Sequence, residues 1–333
     1  MNARACKLVR TTIAVGALLC ALSPATEAQH AGKVYRIGVV EGVGQASNEA
    51  NLTAFRQGLR ELGYVEGKNY VIEYRSADGR TERFLDLATE LVRLNVDVIV
   101  TRGTAAALSA QQATRTIPIV MASSGDPVAE GIVASMARPG ANITGFHVMA
   151  PSELGGKRLR LLKEAVPGAS RIGILWSSGD HYSPPIVQDT ESAARGMRIQ
   201  LKPLEVRRPG GLGPAFEAAM LFPVDALIAL DDSQTFADRA EIVDFAAMSR
   251  LPAIYGLREF VDAGGLMSYG TDRRDLFRRS ATYVHKILTG TRPADLPIER
   301  PISFELAINL KTARALGLTI PPSLLRRADY LVE

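Results

Sequence analysis

The stretch IPIVMASSGDPV, Ile117 to Val128, decides the reading of the chain. A short β-branched run stops in Ser-Ser-Gly-Asp and restarts on Pro127. The apolar residues suit a strand buried on both faces, and Asp126-Pro127 suits an N-cap followed by the first position of a helix. Such a strand-to-helix corner, at the carboxyl end of a strand in an open α/β sheet, forms the kind of crevice where ligands bind.

Working outward, strands and helices alternate. Val34–Val40 reads as a strand, Asn48–Leu62 as a helix with Leu52, Phe55, Leu59 and Leu62 on one face, and Tyr70–Tyr74 as a strand. Helix Thr81–Leu94, capped by Thr81, strand Val96–Val100 and an alanine-rich helix after Thr104 follow, then Ile117–Met121, helix Val128–Met136 and a strand near Ile143–Phe146. The pattern restarts with helix Glu153–Val166 and strand Arg171–Trp176, a helix after Pro185, strand Ile199–Val206, helix Ala215–Leu221 and strand Ala226–Leu230. A long helix from Asp232 to Arg250 precedes strands Pro252–Tyr255 and Leu266–Tyr269. Strands and helices alternating in this way predict parallel sheets covered on both faces.

The restart is also a repeat. Arg36-Ile37-Gly38-Val39-Val40 matches Arg171-Ile172-Gly173-Ile174-Leu175, Val96-Asp97-Val98-Ile99-Val100 matches Val224-Asp225-Ala226-Leu227-Ile228, and Ile117-Pro118-Ile119-Val120 matches Leu251-Pro252-Ala253-Ile254, at offsets of 135, 128 and 134 residues. Three ordered matches at nearly one offset predict an α/β protein of two doubly wound parallel-sheet lobes. The expected divisions are a signal peptide at 1–28, an N-terminal lobe at 29–149 and a C-terminal lobe at 150–268. In 269–333 a helix Leu276–Leu288, a strand Phe304–Leu310 and a helix Lys311–Leu316 are too few for a third core, so they are expected to cross the hinge and complete both lobes.

The 333 residues are 47% hydrophobic and 22% charged, ordinary globular composition. Arg4, Lys7 and Arg10 precede the apolar run Thr11–Leu22, and Thr26 and Ala28 occupy small-residue cleavage positions, the pattern of an export signal too short to span a bilayer. Both cysteines, Cys6 and Cys20, fall inside it, which excludes thiol catalysis and a disulfide in the mature chain. Cleavage would remove three of 39 basic residues and one of 35 acidic ones, leaving 36 against 34 and a net charge of +2. No Lys/Arg tract marks a nucleic-acid surface.

Catalytic motifs are missing. Gly42-Val43-Gly44 resembles the start of a dinucleotide fingerprint, but position 47 is serine, and a tight turn is the better reading. Leu154-Gly155-Gly156-Lys157 has Pro151 and Arg158 where a phosphate loop needs glycine and a hydroxyl residue. The four histidines have no metal-ligand spacing, and no G-x-S-x-G elbow occurs. What remains is a set of polar corners: Thr101 to Thr104 with Gly103, Ser123, Ser124 and Asp126, Ser177 to Asp180, and Asp231 to Ser233. Each is also what helix capping alone would select. Converging on one cleft, hydroxyls and helix N–H groups would hold a carboxylate while Asp126 or Asp232 holds an ammonium. Trp176 and Tyr255 end second-lobe strands and are placed to wall an apolar group, Gln45 follows the first strand, and His181 and Tyr182 lie beyond another.

Phe55-Arg56-Gln57-Gly58-Leu59, Leu62-Gly63-Tyr64-Val65-Glu66-Gly67-Lys68-Asn69, Gly125-Asp126-Pro127-Val128, Arg138-Pro139-Gly140-Ala141-Asn142-Ile143-Thr144-Gly145, Gly264 to Gly270 (GGLMSYG) and Phe304 to Ala313 (FELAINLKTA) together resemble the tryptophan/tyrosine-type ABC transporter substrate-binding proteins. The resemblance runs from about Val34 to the end. It implies a type I periplasmic-binding-protein fold, a monomer in the periplasm, no cofactor and no enzymatic activity. It also implies closure on a small ligand, an aromatic amino acid or similar zwitterion, and delivery to an inner-membrane permease with its ATPase. Where family members often carry Asn-Pro after the first second-lobe strand, this chain has Trp176-Ser177-Ser178. A sensing module for a membrane receptor and a secreted α/β enzyme are the alternative readings.

Overall fold

The computed structural model describes residues 33–148, 154–178, 183–207 and 211–333. The signal peptide and the corner residues Gly179, Asp180, His181 and Tyr182 lie outside the described residues.

The first sheet is built from β1 (Tyr35–Glu41), α1 (Glu49–Glu61), β2 (Tyr70–Ser76), α2 (Phe84–Arg93), β3 (Val98–Arg102), α3 (Thr104–Ala113), β4 (Ile119–Ser123) and β5 (Ile143–Gly145), with strand order β2-β1-β3-β4-β5, all parallel. The second takes α4 (Leu154–Ala165), β6 (Arg171–Ser177), α5 (Ser183–Met197), β7 (Gln200–Val206), α6 (Gly213–Leu221), β8 (Ala226–Ala229), α7 (Ser233–Ala237), α8 (Arg239–Met248), β9 (Ala253–Tyr255), α9 (Arg258–Asp262) and β10 (Met267–Thr271). The chain then runs through α10 (Arg273–Leu288), β11 (Phe304–Asn309), α11 (Leu310–Ala315), α12 (Pro322–Leu325) and β12 (Tyr330–Val332). The second sheet has the order β12-β11-β10-β9-β8-β6-β7. It is mixed, because β11 returns antiparallel to β10 and β12 follows it in parallel.

The repeat has a shared physical cause. In the first lobe Asp97 precedes β3, and its carboxylate accepts the backbone N–H of Arg36 at 2.7 Å. In the second Asp225 precedes β8 and accepts the backbone N–H of Arg171 at 2.9 Å. Each aspartate thus ties the start of one central strand to its neighbour. The glycines in the matched runs are steric: a Cβ at Gly38 would meet Leu91 at 2.8 Å, and one at Gly173 would meet Leu204 at 2.7 Å. Each sheet packs helices on both faces, giving four buried clusters; Val98 and Val100 point into one and Ile99 into another, the alternation of a strand buried on both sides.

The tail joins the two sheets. From β10 the chain enters α10, which packs on α1 so closely that a Cβ on Gly58 would lie 2.5 Å from the carbonyl oxygen of Arg278. It returns beside the earlier linker, where Phe146 bridges Glu299 in parallel and the N–H of His147 donates to the Glu299 carbonyl at 3.0 Å, and then enters β11.

Three local expectations are corrected. The segment after Asp126 is a turn rather than a helix over Val128–Met136. Asp126 Oδ1 does accept the N–H groups of Val128 and Ala129, but Gly131 at φ +69° takes the chain out of helical space after one turn. Thr81 is not a cap; it opens a 3₁₀ turn, Thr81–Arg83, whose N-cap Arg80 offers no side-chain bond. The long helix from Asp232 breaks at Asp238 into α7 and α8, where Arg239 Nη1 donates to the Phe236 carbonyl.

Asp225 also accepts from Ser170 and from the Arg171 guanidinium at 2.7 Å, and the Arg171 bond holds its carboxyl well below the usual carboxylate range. A depressed folded-state value stabilises above the unfolded pKa and is lost as pH falls through the folded one. The expected outcome for Asp225→Asn is a loss of about 1 kcal/mol at neutral pH, discounted for its partial exposure. Urea denaturation from pH 7 to pH 3 checks this: the gap to the parent protein narrows below about pH 4.

Candidate functional site

The carboxyl ends of β3, β4 and β8 meet the first turn of α10 around an open cleft. On the first-lobe side lie Gly103, Thr104, Ser123, Ser124 and Gly125. Gly103 stands at φ +89°, a conformation for which glycine is suited, and it begins α3 without any side-chain cap. Its own N–H is taken by the Ser123 carbonyl at 2.8 Å, but the next N–H groups of α3 have no partner within the helix. Thr104 Oγ1 accepts the N–H of Gly125 at 3.0 Å and lies 3.5 Å from Ser124 Oγ, so the β4 loop is clamped to the start of α3. An uncapped helix start edged by hydroxyls is a fixed anion acceptor.

Arg102, at the end of β3, forms a bidentate pair with Glu41 at the end of β1, each Oε accepting from Arg102 Nε at 2.6 Å. Glu41 has no exposed surface and Arg102 only 7%. The guanidinium stacks 4.6 Å over the ring of Phe236, a second-lobe residue that also meets Arg239 at 5.0 Å and Arg273 at 5.3 Å. Val43, in the turn after β1, has its carbonyl held by Tyr74 Oη at 2.7 Å and joins the cluster of Leu175, Leu204 and Phe236 in the opposite lobe. Gly42-Val43-Gly44 is therefore a turn that carries an apolar contact across the cleft.

On the second-lobe side both aspartates are already engaged. Asp231 takes Arg158 Nη2 on one oxygen at 3.0 Å and Arg273 Nη2 on the other at 3.1 Å. It sits where a Cβ on Gly256 would be 1.9 Å from its Oδ1, so Gly256 leaves room for it. Asp232 caps α7 through the N–H groups of Gln234 and Thr235, and its other oxygen accepts from the Ser177 N–H and the Ser183 hydroxyl. Four donors on four lone-pair positions leave Asp232 no capacity for an ammonium.

Of the residues expected at the site, the cleft brings together Gly103, Thr104, Ser123, Ser124, Asp231 and Asp232. Thr101 is buried behind the lining with an unpartnered hydroxyl, and Ser177 stands behind Asp232. Four expectations change. Asp126 is exposed and spends its carboxylate on its own turn. Gln45 is exposed at the start of a 3₁₀ turn, outside the cleft lining. Trp176 shares the face of Ile172 and Ile174 on β6 and packs against the α4 and α5 side. Tyr255 is 1% exposed, stacked on Phe260 at 4.8 Å, and burial pushes its phenol up. Sequence reasoning missed Val148 and Arg273, and it did not single out Arg102 and Gly125 within the corners Thr101 to Thr104 and Ser123 to Asp126. Arg102 and Glu41 had a signal: opposite charges ending two buried strands. The Leu154-Gly155-Gly156 run proves to be packing, since a Cβ on Gly155 would meet Thr190 Oγ1 at 2.3 Å. Among the described residues no group of three or more His, Cys, Asp or Glu side chains could hold a metal, and no helix is long and apolar enough to cross a membrane.

Two α/β lobes facing each other across a polar cleft are the type I periplasmic-binding-protein fold. Residues 36–332 match the family described as ABC transporter substrate binding protein, and the chain belongs to that family. It is 24% identical over 286 residues, 86% of this chain and 82% of the other, to a tyrosine-binding protein of Clostridioides difficile. A structure from Streptococcus pneumonia, described as an ABC domain in complex with L-Trp, aligns at TM-score 0.81 and 26% identity over 90% of this chain and all of the other. A conserved domain protein of Vibrio cholerae aligns at TM-score 0.81 and 28% identity over the same shares.

Glu41→Gln is expected to cost about 3 kcal/mol in urea denaturation, because it leaves the buried Arg102 charge uncompensated. Glu41→Gln combined with Arg102→Met is expected to recover part of that loss, and equal additive losses would show that the pair is not coupled.

Proposed function

We propose that this chain is the periplasmic receptor of an ABC importer, exported by residues 1–28, whose lobes 29–149 and 150–268 close on an amino acid through a hinge completed by 269–333. The observation that carries the reading is the uncapped start of α3, with the hydroxyls of Thr104 and Ser124 beside it, facing the cleft that Asp231, Asp232 and Arg273 line from the other side. A ligand carboxylate placed there accepts the helix N–H groups left without a partner. The relative named as a tyrosine-binding protein and the solved neighbour described with L-Trp support an amino acid as the ligand class and aromatic amino acids as the first to try. Closure then presents the loaded receptor to a membrane permease, which requires that ligand favour the closed arrangement over the open one. Nothing in this cycle changes the ligand's covalent structure.

A thermal-shift panel on the refolded, ligand-stripped mature protein tests it. At 100 times its dissociation constant a ligand stabilises by roughly 2.7 kcal/mol, a readily visible rise in Tm. A rise confined to amino acids is the expected result, with the ligand recovered unchanged. Thr104→Val is expected to weaken binding by about tenfold, the worth of one hydrogen bond to a charged group. A rise confined to sugars or nucleosides would overturn the amino-acid reading.

A further inference from the structure

His147 lies on one of the segments that join the lobes, between β5 and α4. The backbone there is held by the returning segment. Phe146 bridges Glu299, the His147 N–H donates to the Glu299 carbonyl at 3.0 Å, and the Glu299 N–H donates back to the Gly145 carbonyl at 2.9 Å. The next residue, Val148, donates its N–H to the Ser124 carbonyl at 2.7 Å and forms part of the cleft wall. The joint between the lobes and the ligand cleft thus meet within two residues of chain.

The imidazole is 5% exposed, and its Nε2 has no hydrogen-bond partner among the described residues. A neutral ring tolerates that burial, whereas a protonated one carries a charge and two donors that need partners. The surroundings offer few. The returning segment brings Arg300, a like charge, and Glu299, whose carboxylate is already taken by Arg279 and the Tyr283 hydroxyl of α10. Arg279 itself lies over the Phe146 ring. The turn after β4 brings Asp126, which attracts a proton to the ring but spends one oxygen on its own turn. Beyond Val148 the cleft charges are matched to one another, Arg102 by Glu41 and Arg273 by Asp231. Burial first and Arg300 second hold the imidazole below the usual histidine range, with the Val148 backbone and Asp126 pulling the other way.

We propose that His147 is a proton-operated release for the joint between the lobes: the joint holds while the imidazole is neutral and loosens when it takes up a proton. The inference goes beyond the receptor reading and does not depend on which ligand is bound. Its sign follows from linkage. Above the ordinary histidine value of 6.5 the ring is neutral whether the joint is tight or loose, and pH has no effect through it. Below that pH a loosened joint, which lets water reach the ring, takes up the proton first. The arrangement seen here therefore loses ground as pH falls, until its own imidazole is protonated as well.

Hydrogen exchange of the ligand-stripped mature protein, followed by mass spectrometry from pH 8 to pH 5 and corrected for the intrinsic pH dependence of exchange, tests this. The amides to read are those of His147, Val148 and Glu299, with the buried strand β3 as the internal control. The expected result is that protection at the joint falls at least threefold while β3 is unchanged. His147→Gln, which keeps a polar side chain but takes up no proton, is expected to abolish the fall. Asp126 and Arg300 are exposed, so variants there are expected to fold even where His147→Gln does not. Arg300→Gln is expected to move the midpoint of the fall to higher pH, and Asp126→Asn to lower pH. Protection that does not change with pH, a fall that persists in folded His147→Gln, or a midpoint that neither surface variant moves would overturn the inference.

Discussion

The cleft depends on Asp231. One carboxylate, 7% exposed, holds Arg158 on α4 with one oxygen and Arg273 on α10 with the other. Arg158 is 1% exposed and further anchored by donating from Nε to the Tyr269 carbonyl at 2.8 Å. Arg273 begins the helix that packs along α1 in the first lobe. A buried charge without a partner is costly, so the three groups fix one another's positions, and through them a second-lobe strand end is held against the helix that leaves for the first lobe. The glycines around this junction follow from it: a Cβ at Gly270 would lie 1.9 Å from the Gly256 carbonyl oxygen, and Gly256 in turn makes room for Asp231. The backbone at the joint is packed too closely for side chains because the ion cluster occupies the space.

Much of this scaffold was legible from residues. The matched Arg and Asp of the two halves revealed the repeat, and the structure gives both aspartates the same work at the start of their sheets. The segments that carried the family resemblance are explained by backbone requirements. Gly145 stands at φ +129° against Met121, where a Cβ would be 2.2 Å from a carbonyl oxygen. Asn142 donates to the carbonyls of Thr114 and Ile117, and Asn69 accepts the N–H of Val65. Gly265 lies against the Tyr255 ring. These are conformational demands that few residue types meet, which is why they leave a readable pattern.

Ligand contacts leave a weaker one. The serines, threonines and aspartates at strand ends have the composition of helix caps, and some are only that: Asp126 closes a turn and Asp232 caps α7. What separates Thr104 from Asp232 is which lone pairs and N–H groups remain unspent after folding, and that depends on partners far away in sequence. Trp176 and Tyr255 show the same limit. The residue after a buried strand points to one face or the other by a single step of register, and in both cases the step led into a core. Arg102 was passed over because an arginine after four buried residues reads as a surface group until Glu41 on the neighbouring strand is placed beside it.

Closure itself has a physical basis in the chain. Val43 joins a second-lobe apolar cluster, and the Arg102 guanidinium lies on the ring of Phe236. Both contacts cross the cleft and neither involves a ligand. They hold the lobes in the arrangement seen here, against the conformational freedom gained when the lobes part. A ligand then shifts the balance only by what it adds between the lobes, and its apparent affinity is its intrinsic affinity reduced by the fraction of receptor in the competent state. Contacts outside the ligand space therefore tune how tightly a solute is held without touching it. The Arg102 pair does both kinds of work, because the same guanidinium that Glu41 neutralises from one side forms the cleft wall and meets Phe236 on the other.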